Sequence, residues 1–155
     1  MNIVIDINDF NKDNIYLQES VKNKIIDDSN FIKIIYSTKF FALNNLYISF
    51  NLQIIQIDQY FNKYKIIFNV KNNIKYINQL KLIEESILDK VIIDKRPVYK
   101  LHEYISLGNI KIFKDNLKIN QYKHLDNELI IKISGIWENE YEYGLIYKFI
   151  DMSLI

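Results

Sequence analysis

The amino-acid sequence predicts a mainly β domain of the α+β class, a rolled sheet or small barrel carrying one main helix near residues 74–89. Three observations lead there. Residues 31–70 are dense in β-branched and aromatic side chains, the types that fit a pleated, half-buried surface. The tail holds two apolar runs separated by a short polar connection, the pattern of a hairpin. Between these regions the apolar spacing switches from about 2 to about 3.6 residues, as it must where a strand gives way to a helix.

Taken in order, residues 1–30 mix short apolar runs with Asn and Asp, and Asp27–Asn30 reads as a turn. Tyr47–Ile54 and Tyr64–Val70 read as strands, with Asn44-Asn45 and Asn62-Lys63 as the turns that precede them. Asn73 is placed to cap a helix in which Ile77, Leu80, Ile83 (or Glu84), Ile87 and Leu88 fall on one face. On the same reading Glu84-Glu85 belong to its solvated face. Pro97 and Gly108 bracket one or two helical turns, and Asn109–Phe113 returns to alternation. Glu128–Trp137 and Gly144–Asp151 are expected to pair as antiparallel strands across Glu138–Tyr143. Along the second strand Leu145, Tyr147 and Phe149 share one side, and Ile146, Lys148 and Ile150 the other. Strands, one helix, then strands again suit an OB-like barrel with the helix plugging one end.

Composition narrows the function. The 155 residues make one ordinary domain, and with 49% hydrophobic residues a core forms without covalent staples. Cysteine is absent, which removes disulfide frameworks, thiolate nucleophiles and zinc ribbons and fits a reducing, intracellular setting. The acidic first residues do not resemble a secretory leader, and no apolar run reaches the 18 or so residues of a membrane span, so a soluble protein is expected. His102 and His124 are the only histidines, neither has ligand or nucleophile-elbow spacing, and both read as loop residues in solvent. Glu138, Glu140 and Glu142 alternate in the last connection and read as solvated, with a divalent cation as the alternative. Three glycines leave no phosphate-cradling loop. No catalytic residue, metal or cofactor is therefore expected.

What remains is a binding signal. Twelve Tyr, nine Phe and one Trp often stand beside lysine, as in Phe113-Lys114 and Tyr147-Lys148-Phe149. Single-stranded nucleic acid is held by such a mixture, with bases stacked on rings and ammonium groups following phosphates. The alternative for each ring is a place in the core, its lysine neighbour simply pointing the other way. Residues 95–132 carry eight basic against four acidic side chains, a net of +4, and the rest of the chain offsets this to a total of +1. Lys111, Lys114 and Lys132 of this segment, with Lys148 between Tyr147 and Phe149, are the candidates for phosphates. Trp137, Tyr141 and Tyr143, near the last turn, are the candidates for bases.

The segment Ile130–Phe149, IIKISGIWENEYEYGLIYKF, resembles the closing hairpin of the single-stranded-DNA-binding-like proteins of large nucleocytoplasmic DNA viruses. The shared pattern is an apolar strand, a Gly-aromatic step (Gly135, Trp137), a polar loop, then Gly144 leading an apolar–aromatic–Lys strand. Leu82–Leu88 and Pro97–Phe113 are similar in order to that family's helix and following strand, so the likeness spans about 80–151. It implies an OB-type fold and single-stranded DNA as partner, without catalysis, and Lys132, Trp137, Tyr147 and Lys148 match the hairpin pattern. The competing reading is a structural or interaction protein, such as a minor virion component, whose aromatic surface meets another protein or a second copy of the chain.

Overall fold

A computed structural model describes residues 3–25, 28–113 and 128–151. It is mainly β, with two sheets and one long helix around a single apolar core. The strands are β1 (Val4–Asp6), β2 (Ile15–Leu17), β3 (Val21–Lys22), β4 (Asn30–Ser37), β5 (Ala42–Leu43), β6 (Leu46–Asn51), β7 (Ile54–Gln59), β8 (Lys63–Phe68), β9 (Arg96–Val98), β10 (Asn109–Phe113), β11 (Glu128–Glu138) and β12 (Glu142–Asp151). The helices are α1 (Ile74–Leu88) and α2 (Lys100–Ile105). The larger sheet runs β1-β6-β11-β12-β9, with β4 beside β11 carrying β2, β3 and β5; the smaller is β10-β8-β7.

The tail hairpin forms as the alternation predicts, and its strands reach further into the connection than expected. The turn shrinks to Asn139–Tyr141, because the Asn139 carboxamide oxygen accepts the amides of Tyr141 (2.9 Å) and Glu142 (2.8 Å). Within β11 the register shifts between Ile133 and Gly135. The extra residue, Ser134, changes which parity faces inward: Leu129, Ile131 and Ile133 point to the core before it, Ile136 after it. β12 needs no such correction, and Tyr143, Leu145 and Phe149 stay inward throughout. At the same point β11 changes neighbours, from β6 (Glu128–Ile133) to β4 (Gly135–Glu138). A bulge that bends its strand lets one strand serve two diverging partners, and the sheet rolls there. Gly135 is required by contact: a Cβ on it would lie 2.5 Å from the Ile32 carbonyl oxygen.

Helix α1 presents Ile77, Leu80, Ile83, Ile87 and Leu88 to the core, the face expected from its spacing. Asn73 stands at its N-cap but makes no capping bond. Instead the buried carboxamide accepts the Gln53 amide at 2.7 Å and donates to the Gln53 and Asn69 carbonyls. It thereby fixes the β6–β7 connection, where the expected strand 47–54 breaks in two. Of the expected turn at 27–30, Asp27 lies outside the described residues, and Asp28 adopts φ +59°. No helix among the described residues is long and apolar enough to cross a membrane.

Candidate functional site

The edge of β12 is only partly used. β9 pairs in parallel with Glu142–Gly144 alone; beyond that point β12 faces β10 and α2 across a groove of about 500 Å³. Three ammonium groups line it: Lys65 from β8, Lys111 from β10 and Lys148 from β12. Strand alternation puts them there. Tyr64 and Ile66, Ile110 and Ile112, and Phe149 are buried, so the lysines between or beside them point out. Four rings share the groove, Tyr104 from α2, Phe113, Tyr147 and Phe149. Tyr104 (51%) and Phe113 (60%) are exposed enough to offer a face to a ligand. Tyr147 is half-buried, edge-on to Phe149 at 5.8 Å between centroids. Burial, followed by the negative charge of Glu84, raises its phenol above the usual range, so it remains a proton donor at neutral pH. No acidic side chain stands among the described residues lining the groove.

Like charges meet across two strand pairs at or beside the groove. Lys65 and Lys111 are direct cross-strand partners, and so are Lys132 and Lys148. Like charges in opposed positions destabilise a sheet; Lys65 also opposes Asp58 on β7, which offsets the first pair, and of the second pair Lys148 lines the groove.

Among the residues expected from sequence, the structure gathers Lys111 and Lys148 in the groove. Lys132 sits next to Lys148 on the adjoining sheet surface, its ammonium 5.7 Å from the Tyr47 ring centroid. Lys114 lies outside the described residues. The three aromatics of the turn do not belong to this cluster, since Tyr141 is seven residues, roughly 23 Å, along the strand from Lys148. Tyr143 is a correction: at 7% exposure it belongs to the core, where burial raises its phenol. Trp137 is half-buried with its ring laid over Gly144, where a Cβ would meet it at 2.7 Å. Tyr141 alone of the three is exposed. Sequence reasoning missed Tyr104 and Leu107, and noted Tyr64-Lys65 as an aromatic–lysine pair without naming Lys65 a site residue. For Lys65 the signal existed, as the polar position inside YKIIF.

Two carboxylates also depart from expectation. Glu84 is fully buried, not on the solvated face, and accepts the Leu101 (2.8 Å) and His102 (2.9 Å) amides as well as pairing with His102 Nδ1. It caps α2 from another element, and His102 is a helical, partly buried residue whose ring lies 5.1 Å from that of Tyr99 at a 52° tilt, not a loop residue in solvent. Glu138 is buried rather than solvated. It accepts Ser20 Oγ at 2.6 Å, Asn30 Nδ2 at 3.2 Å and Lys95 Nζ at 3.2 Å. These bonds, that from Ser20 foremost, hold its carboxyl below the usual range in spite of burial. Glu142 pairs with Arg96. Among the described residues no three His, Asp or Glu side chains converge as a metal site would require.

The chain shows no significant match to any protein-family model, curated protein or solved structure compared with it.

Proposed function

We propose that the protein binds single-stranded DNA without sequence preference and without catalysis, through the groove between β10, α2 and β12. The observation that carries this reading is the meeting of three lysines and four aromatic rings in one concavity free of described carboxylates. Rings there stack bases, at about 1–3 kcal/mol per base, and ammonium groups neutralise phosphates. The resemblance of Ile130–Phe149 to viral single-strand binders supports the same reading and adds an OB-like ancestry, an intracellular setting and a role in viral replication to it.

Titration of a fluorescent dT oligonucleotide across a salt series tests the proposal. Binding should favour single-stranded over duplex DNA. Three groove lysines set the slope of log K against log salt at about −2 or steeper, from roughly 0.7 per phosphate contact on a single strand. The double substitution Lys111→Gln with Lys148→Gln should flatten it by about 1.4. Equal affinity for duplex, or no binding at low salt, overturns the reading in favour of a structural or interaction protein. The exposed Phe40 and Ile92 are the surfaces such a protein would use.

A further inference from the structure

The groove does not end at its own rim. On the outer face of the smaller sheet Lys65 opposes Lys111 and, two residues along, Lys63 opposes Phe113. The β7–β8 turn is closed by the Tyr60 amide donating to the Lys63 carbonyl at 2.8 Å, and at its tip Phe61 is fully exposed, at 102%. At the other end of the groove Lys148 opposes Lys132, which in turn opposes Tyr47 on β6. Pairing partners share a sheet face, so Lys148, Lys132 and Tyr47 form one row crossing three strands. None of the five lysines forms an ion pair with a described carboxylate. Nearby acids are Asp58 on β7, the direct cross-strand partner of Lys65, Glu103 on α2, whose charge acts on Tyr147, and Glu128, which pairs with Asn51 beyond Ser49 and Ile130.

We infer that these residues form one continuous track for a single DNA strand, from Phe61 at the β7–β8 turn, through the groove, to Tyr47 on the larger sheet. The inference rests on the single-strand-binding reading and extends it from a pocket to a path. The path carries rings toward its ends and charge through its middle: Phe61, Lys63 with Phe113, Lys65 with Lys111, then Lys148, Lys132 and Tyr47. Its first leg, from Phe61 to Lys65, covers about 13 Å, and the row from Lys148 to Tyr47 about 10 Å. Both legs add to the width of the groove, so the strand is held at several successive nucleotides. The Lys132 ammonium over the Tyr47 ring shows how charge and aromatic surface are already paired at the far end.

Salt dependence distinguishes the track from the groove. With five lysines engaged, a dT12 titration should give a slope of about −3.5; with the groove alone, about −2. Lys63→Gln with Lys132→Gln should bring the wild-type slope down to about −2. Phe61→Ala should weaken binding roughly 5- to 150-fold while leaving the slope unchanged, the signature of a lost stacking contact. Thermal melts of each variant should be no lower than the wild type, since Phe61 is wholly exposed, the lysines face outward, and Lys132→Gln removes a like-charge cross-strand pair. A wild-type slope near −2, with all these variants binding as the wild type does, overturns the track and leaves the groove standing, provided Lys111→Gln with Lys148→Gln still weakens binding. Absence of binding by the wild-type protein overturns both.

Discussion

At the residue scale, strand alternation decides which side chain holds the fold and which is free to bind. Phe149 is buried against Phe50 and Tyr147, whereas its neighbour Lys148 is exposed. Phe149→Ala should therefore lower stability by about 3–5 kcal/mol, read by urea denaturation. Phe113, exposed on the smaller sheet, should behave in the opposite way: Phe113→Ala keeps the melting temperature and weakens oligonucleotide binding roughly 5- to 150-fold. Equal destabilisation by the two would mean that Phe113 is packed and not available for stacking. Gly144 belongs to the same scale. The Trp137 ring occupies the space of a side chain there, so Gly144→Ala should cost about 1–3 kcal/mol by overpacking. A melt unchanged from the wild type would show that the indole moves away freely.

At the scale of elements, α2 is too short to be stable alone, since isolated helices under about 12 residues are marginal in water. Its orphan N-terminal amides are satisfied by Glu84 of α1, a cap supplied through space and not by the local sequence. The carboxylate thus fixes α2, and with it Tyr104, against β12. Glu84→Ala should cost about 3 kcal/mol or more, because it removes the acceptor and leaves buried donors unpaired. Glu84→Gln should fall between, at about 1–3 kcal/mol, since the amide still accepts through its oxygen but turns donors toward donors. Chemical denaturation measures both, and a loss under about 1 kcal/mol for the alanine variant would show that α2 does not depend on this cap. The bulge at Ser134 works similarly, with one inserted residue setting both the inward parity of β11 and its change of partner.

For the whole molecule, Glu138 joins three distant parts of the chain to the end of β11: Ser20, Asn30 at the start of β4, and Lys95 just before β9. Its carboxyl titrates lower in the folded chain than in the unfolded one. Between the two values the unfolded chain binds more protons, so acid favours unfolding. The stabilisation is complete above the ordinary Glu value of about 4.3 and is lost as pH falls through the depressed folded value. The melting temperature of the wild type should consequently drop more steeply below about pH 4.5 than that of Glu138→Gln, which has no carboxyl to protonate. Parallel curves for the two proteins would remove Glu138 from the acid response.

The sequence by itself determined the elements whose pattern is local. Alternation in Gly144–Asp151 placed Phe149 inside and Lys148 outside, the 3.6 spacing of Ile77, Leu80, Ile83, Ile87 and Leu88 made α1, and the two apolar runs of the tail made the hairpin. Each follows from the fixed geometry of a strand or helix, which the chain carries at every position. Only the tertiary structure decided what covers each face. Tyr143, Glu138 and Glu84 read as solvated because turns and helix surfaces usually are, yet strands and helices far away in sequence close over them. The groove is of the same kind: Lys65, Tyr104, Lys111 and Lys148 lie on four elements spread over 84 positions of the chain, and no local period relates them. Which face a side chain takes is a property of its own strand, but burial, capping and the assembly of a site belong to the partners that the fold brings to it.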